Sequence, residues 1–178
     1  MSLYLVRHGQ TQWNKEHRWL GKTDIGLNEL GLKQAKEMGE KLKDEKFDAV
    51  FCSSLLRAKQ TTAEICRYHA EIPVYYTDDL TERNLGSLES IVHYGRVEEI
   101  YDKNLEEVPD GVETLDDFSE RVFKRLDYIK KNHKTDSVLV VAHGGVARMF
   151  KVYFEGMYGD GRLYEYDLPH GEAVMYEF

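Results

Sequence analysis

Read for its spacing of apolar and polar positions, the chain alternates between two periods. Leu3–Val6 is a short apolar run of strand length. Asn28 is a candidate cap for a helix running to about Asp44, with Leu32, Ala35, Met38 and Leu42 on one face. Asp48–Cys52 reads as a second strand, and Ser53 or Ser54 as the cap of a helix reaching about His69. Ile72–Tyr76 is a third strand, and Pro73 predicts a place near a sheet edge. Residues 91–105 predict a short helix with Val97, Ile100, Tyr101 and Leu105 inward. Thr114-Leu115-Asp116-Asp117 resembles a capping box and opens a helix to about Asn132 that carries Leu115, Phe118, Val122, Leu126 and Ile129. Val138–Ala142 is continuously apolar, as in a strand buried on both faces, and a helix over 146–155 follows. Tyr164–Leu168 and Ala173–Phe178 alternate around Pro169-His170-Gly171-Glu172, which reads as a closing hairpin.

Strands alternating with helices predict an α/β fold: a three-layer sandwich with a mostly parallel central sheet and helices on both faces. Such sheets bind ligands beyond the carboxyl ends of their strands. The first strand runs into Arg7-His8-Gly9, where the glycine lets the backbone turn away. The second runs into Cys52-Ser53-Ser54, with Arg57 one turn into the next helix, and the buried strand into His143-Gly144-Gly145. Two histidines and two arginines are therefore expected at one sheet edge.

Composition narrows the partners. The 178 residues, 42% hydrophobic and 31% charged, predict one domain with a real core. A net charge of −8 argues against nucleic acid or an acidic membrane, although a local cationic pocket still suits a small anion. Cys52 and Cys66 have no metal-ligand or redox spacing and read as buried reduced thiols. No signal-peptide pattern and no apolar run near the roughly 18 residues of a membrane span appear, so a cytoplasmic location is expected.

Phosphoryl transfer needs an in-line nucleophile, cations around the equatorial oxygens and an acid for the leaving oxygen. Guanidinium groups at Arg7 and Arg57 suit the oxygens. The N–H groups opening the helix after His143 add an anion site. His8 can attack only when neutral, which nearby arginines favour. Glu82, in Leu80-Thr81-Glu82-Arg83-Asn84-Leu85-Gly86, follows the third strand and is the candidate acid; an adjacent anionic substrate favours its protonated form. Glu89 and Glu113 compete for that role. His17, His69, His133 and His170 are assigned no catalytic role, and His93 alone among the remaining histidines is a candidate to face the pocket.

These blocks together resemble the histidine phosphatase superfamily, in its phosphoglycerate-mutase-like branch, over nearly the whole chain. The resemblance rests on Arg7-His8-Gly9-Gln10-Thr11 with Asn14; Asp24 through Leu30-Gly31 with Gln34-Ala35; Ser53-Ser54-Leu55-Leu56-Arg57-Ala58 with Gln60-Thr61; Leu80-x-Glu82 with Gly86 and Glu89; and Val140-Val141-Ala142-His143-Gly144-Gly145. It implies a transient phosphohistidine on His8, a phosphate pocket of Arg7, Arg57 and His143, and Glu82 as proton donor. It also implies that Asn14 and the Gly144 backbone help bind the phosphoryl group, that Gly21 lines the mouth, and that Arg83 sits beside the acid. No metal or organic cofactor is implied.

The family holds both mutases and phosphatases. The segment 87–113, expected to form a short cap, carries only Arg96 and Lys103 against Glu89, Glu98, Glu99, Asp102, Glu106, Glu107, Asp110 and Glu113. That balance repels a second anionic group and favours hydrolysis of a small phosphate monoester. Leu20-Gly21 stands where the mutases carry Thr-Gly, which removes a hydroxyl donor. Glu89-Ser90 replaces the usual Glu-Gly, which leaves the path of the cap open, and Gly26 and Asn28 replace Pro and Thr, with only a local backbone effect expected from those two. The alternatives are a phosphoglycerate mutase and a phospho-ligand binding module; a metal hydrolase is disfavoured because two arginines repel a cation. The substrate and the oligomeric state stay open.

Overall fold

The computed structural model describes residues 2–94, 96, 98–102, 109–134, 136–156 and 162–178. Among these residues five strands form one sheet: β1 (Ser2–Arg7), β2 (Ala49–Ser53), β3 (Val74–Thr77), β4 (Ser137–Ala142) and β5 (Ala173–Glu177). Their order is β3-β2-β4-β1-β5. Pairs β1/β4, β2/β4 and β2/β3 are parallel, while β5 runs antiparallel to β1. β3 is an edge strand, as Pro73 predicts.

Period-two alternation divides the core. Leu3, Leu5, Ala49, Phe51, Val138 and Val140 face one side, against Phe118, Val122, Leu126 and Ile129 of α5 (Leu115–Asn132) and Val146, Met149 and Phe150 of α6 (Gly144–Glu155). Val6, Val50, Cys52, Leu139 and Val141 face the other, against Met38 and Leu42 of α2 (Glu29–Leu42) and Ala58 and Ile65 of α3 (Leu56–Cys66). The three-layer α/β sandwich is thus the observed architecture. Two short helices, α1 (Gln12–Lys15) and α4 (Glu98–Tyr101), lie in the connections.

Several local expectations change. Leu32 is 36% exposed; Gly31 faces inward instead, because the Gly9–Gln10 backbone packs on it too closely for a side chain at either glycine. Gly9 therefore serves a close approach rather than a turn, since its φ is not positive. Neither Ser53 nor Ser54 caps α3: Leu55 is the cap residue and makes no side-chain bond. Among the described residues of 91–105 the helix is the single turn of α4, with Ile100 and Tyr101 buried; Val97 and Leu105 lie outside the described residues. The closing hairpin is also absent. Residues Leu163–Glu165 form a 3-10 turn, and β5 returns to pair with β1.

Candidate active site

Parallel register delivers the sequence blocks to one edge. Arg7, the last residue of β1, pairs with Ala142 of β4, and the His8 N–H donates to the Ala142 carbonyl at 3.0 Å. The His8 and His143 rings lie 5.0 Å apart at 62°. Arg57, in the first turn of α3, is fully buried and donates to the Thr23 and Gly21 carbonyls, each at 2.9 Å.

The bonds set the chemistry of the imidazoles. His8 Nδ1 lies 2.7 Å from the Gly9 carbonyl oxygen. A carbonyl only accepts, so Nδ1 carries the proton and Nε2 keeps its lone pair. Burial first, and then His143, Arg57, His170 and Arg7, hold the His8 pKa well below its ordinary value. His143 is lowered by burial and by Arg57 and Arg7. Its Nε2 is 2.7 Å from Ser53 Oγ, which ties the end of β2 to the end of β4. Burial lowers Arg57 to about 10, still charged at neutral pH.

Among the described residues, Arg7 Nε, Arg57 Nε and His143 Nδ1 are buried without a hydrogen-bond partner. An unpartnered buried polar group costs about 1–3 kcal/mol, so three in one site call for a common acceptor. An anion with several oxygens is chemically suited to them.

Glu82 sits in the loop after a 3-10 turn at Asp78–Leu80. Its carboxylate accepts the Gly145 N–H at 3.0 Å, the Arg83 N–H at 2.8 Å and the Tyr101 hydroxyl at 3.3 Å. The first of these is the opening turn of α6, so one N–H expected to bind an anion is taken by Glu82 itself. A side chain at Gly145 would overlap both Glu82 and Tyr101. Burial and the neighbouring Glu82 push the Tyr101 pKa up, keeping its hydroxyl a donor.

The rival carboxylates are engaged elsewhere. Burial would raise the Glu113 pKa, but the Arg121 guanidinium, bidentate at 2.6 and 2.9 Å, and the Asn84 N–H hold it below its ordinary value. Glu89 accepts the Lys22 N–H at 2.8 Å, the Leu85 N–H at 3.3 Å and the Thr23 hydroxyl. It clips the 21–23 loop, which holds Arg57, to the loop that carries Glu82. Arg83 adjoins the acid, with its side chain turned inward. It is buried beneath the loop, donating to the Glu113 carbonyl at 2.6 Å and to the Ile100 carbonyl.

A cavity of about 490 Å3 opens over this edge. Arg7, Asn14, Gly21, Glu82 and Gly144 line it, while His8, Arg57 and His143 lie buried beside those lining residues. Asn14 accepts the Thr11 N–H at 3.0 Å and so is fixed in place. His93 lines the cavity, stacked on Trp19 at 4.1 Å, and His17 does too.

Sequence reasoning missed Arg148, Asp167 and His170. Arg7 donates to Asp167 at 2.8 Å and to the Leu168 carbonyl at 2.5 Å, and its other terminal nitrogen lies 3.0 Å from His170 Nε2. A usable signal existed: once the last strand is paired with β1, the Pro169-His170-Gly171-Glu172 turn must sit beside Arg7. None of the acidic residues of 87–113 is among those lining the cavity, within the described residues, whereas Arg18 and Arg148 are. Glu98, Glu99, Glu106 and Glu107 of that segment lie outside the described side chains.

The model of the histidine phosphatase superfamily (branch 1) matches residues 3–172. The chain belongs to the histidine phosphatase superfamily. It is 36% identical over 159 residues to a Bacillus subtilis protein named uncharacterized phosphatase PhoE, covering 89% of this chain and 79% of that one. It is 40% identical over 155 residues to a metal-independent phosphoserine phosphatase of Arabidopsis thaliana, covering 82% of this chain and 65% of that one. It is 33% identical over 190 residues to a phosphoglycerate mutase of Schizosaccharomyces pombe, covering 98% and 88%. A putative alpha-ribazole-5'-P phosphatase from Escherichia coli superposes with a TM-score of 0.83 at 26% identity, covering 98% of this chain and 89% of that one.

Within this superfamily pattern, Ser90 is the departure with a backbone consequence. It adopts φ 75, a left-handed conformation that glycine enters freely and that costs other residues about 1–2 kcal/mol. Its N–H donates to the Trp19 carbonyl at 2.8 Å, and its own carbonyl accepts from Arg18 at 2.8 Å, so both sides hold the strained turn. Among the described residues, no group of three or more His, Cys, Asp or Glu side chains is arranged to hold a metal ion. No helix among them is long and apolar enough to cross a membrane.

The buried imidazoles predict an acid-labile fold. His8, His143 and His170 all have folded pKa values below the ordinary 6.5, with burial first and Arg7 and Arg57 reinforcing it, and His170 falls to about 3. The unfolded chain then binds more protons below pH 6.5, so stability is full above 6.5 and declines as the pH falls toward 3. Denaturant midpoints measured from pH 7.5 to 4 should decrease steadily. A midpoint constant over that window would contradict this.

Proposed function

We propose that the protein is a phosphatase that hydrolyses small phosphate monoesters through a phosphohistidine on His8. The observation that carries the reading is the set of three unpartnered buried nitrogens on Arg7, Arg57 and His143, beside an imidazole whose Nε2 is bare. Arg7, Arg57 and His143 hold the equatorial oxygens, helped by Asn14 and the Gly144 backbone, with Gly21 at the mouth. His8 Nε2 attacks phosphorus as the ester P–O bond breaks, and Glu82 delivers a proton to the departing oxygen. Water then attacks the phosphorus, the P–N bond breaks, Glu82 recovers the proton, and phosphate leaves neutral His8 behind.

Hydrolysis is favoured over mutase chemistry by Leu20, an apolar residue in the cavity wall where the mutases place a hydroxyl donor. Relatives named as phosphatases support the same choice. The test is an assay, without added metal, on an aryl phosphate and a panel of phosphorylated metabolites including 3-phosphoglycerate. Release of inorganic phosphate is expected. Isomerisation of 3-phosphoglycerate faster than any ester is hydrolysed would assign a mutase. Binding of phosphate esters with no turnover would assign a binding module.

A further inference from the structure

We propose that His170 is a further phosphoryl-binding residue of this site, donating a hydrogen bond from Nδ1 to the oxygens of the group transferred at His8. The proposal rests on the phosphohistidine reading and adds a residue to it. A guanidinium nitrogen can only donate, so the 3.0 Å contact from Arg7 makes His170 Nε2 the acceptor. The proton of a neutral ring must then sit on Nδ1. Among the described residues the ring's hydrogen bond is through Nε2 to Arg7, which leaves Nδ1 unengaged, and His170 lines the cavity. The ring lies 5.5 Å from that of His8, at 62°, so it stands beside the nucleophile.

The backbone fixes this placement. Gly171 N–H donates to the Arg7 carbonyl at 3.1 Å, and Arg7 N–H donates to the Glu172 carbonyl at 3.0 Å. The turn carrying His170 is thereby stitched to the β1 end that carries the nucleophile. The ring stays neutral at working pH because burial, then Arg7 and Arg57, hold its pKa near 3. It can therefore donate to an anion without competing with His8 for a proton.

A role confined to propping Arg7 would use Nε2 alone, and two amide substitutions separate the nitrogens. Asparagine overlays the Nδ1 side of histidine and offers an N–H there; glutamine reaches the Nε2 side and offers Arg7 an acceptor. The experiment measures inhibition by orthovanadate and by inorganic phosphate, and kcat/KM on an aryl phosphate, for wild type, His170→Ala, His170→Asn and His170→Gln, each checked for folding by thermal unfolding. His170→Ala is expected to weaken vanadate and to lower kcat/KM by about 10- to 100-fold, the range for one hydrogen bond to a charged group. His170→Asn should recover more of both than His170→Gln. A folded alanine variant equal to wild type would overturn the proposal, as would glutamine recovering as much as asparagine. Either result leaves wild-type turnover at His8 intact, so it would not count against the phosphatase reading.

Discussion

Replacing His8 by alanine is expected to abolish phosphatase turnover, by about 10^4-fold or more, while phosphate esters still bind. The loss is large because the nucleophile has no substitute. His143 lies 5.0 Å away, but its Nε2 is engaged with Ser53. His170 spends its only lone pair on Arg7. Without a covalent intermediate, water would have to attack a bound ester directly with no positioned base of its own. Binding survives because the guanidinium groups that hold the phosphate are anchored independently of His8: Arg57 on Gly21 and Thr23, Arg7 on Asp167 and Leu168. Steady-state kinetics and direct titration with inorganic phosphate check both halves. Residual activity within tenfold of wild type would remove His8 from the mechanism.

Glu82→Gln should produce the second largest loss, and one that depends on the leaving group. General acid catalysis contributes about 10^2- to 10^4-fold, and it matters most when the departing oxygen is a strong base. Alkyl phosphates should therefore lose activity toward the upper end of that range, and aryl phosphates with acidic phenols far less. Of the three candidate glutamates, the geometry favours this one. Glu113 is locked by Arg121, and Glu89 is turned into the 21–23 loop. Glu82 alone of the three lines the cavity. Rates measured across a series of leaving groups check the prediction. An equal loss for all of them would place the proton elsewhere.

The fold and half of the site were legible because both follow from periodicities a sequence displays. Val138–Ala142 is apolar without interruption because both faces of β4 are covered, and Leu3–Val6 is its neighbour for the same reason. Strand ends in a parallel sheet share an edge, so Arg7-His8, Arg57 and His143 could be placed together before any contact was known. The acid could be placed only on a loop, since nothing local marks Glu82 over Glu113; the difference is the ion pair that Arg121 of α5 makes with Glu113. The misses share one cause. Tyr164–Leu168 and Ala173–Phe178 alternate as a hairpin would, yet β5 finds its partner at the far end of the chain, in β1. Pairing distant in sequence leaves no local trace, so the turn that brings Asp167 and His170 to Arg7 read as an ordinary reversal. Ser53 was misjudged in the same way: its hydroxyl suits a helix cap, but the His143 ring 90 residues away occupies it.

The central claim is a covalent phosphohistidine on His8, and rapid quenching tests it most directly. The protein is mixed with a phosphate ester labelled with 32P, quenched in base after milliseconds, and digested for peptide mapping. The account predicts a label that survives alkali, is lost in acid, maps to the Leu3–Gly9 segment, and is absent in the His8→Ala variant. Turnover of the ester with no such label, or an alkali-stable label on any residue other than His8, would contradict it.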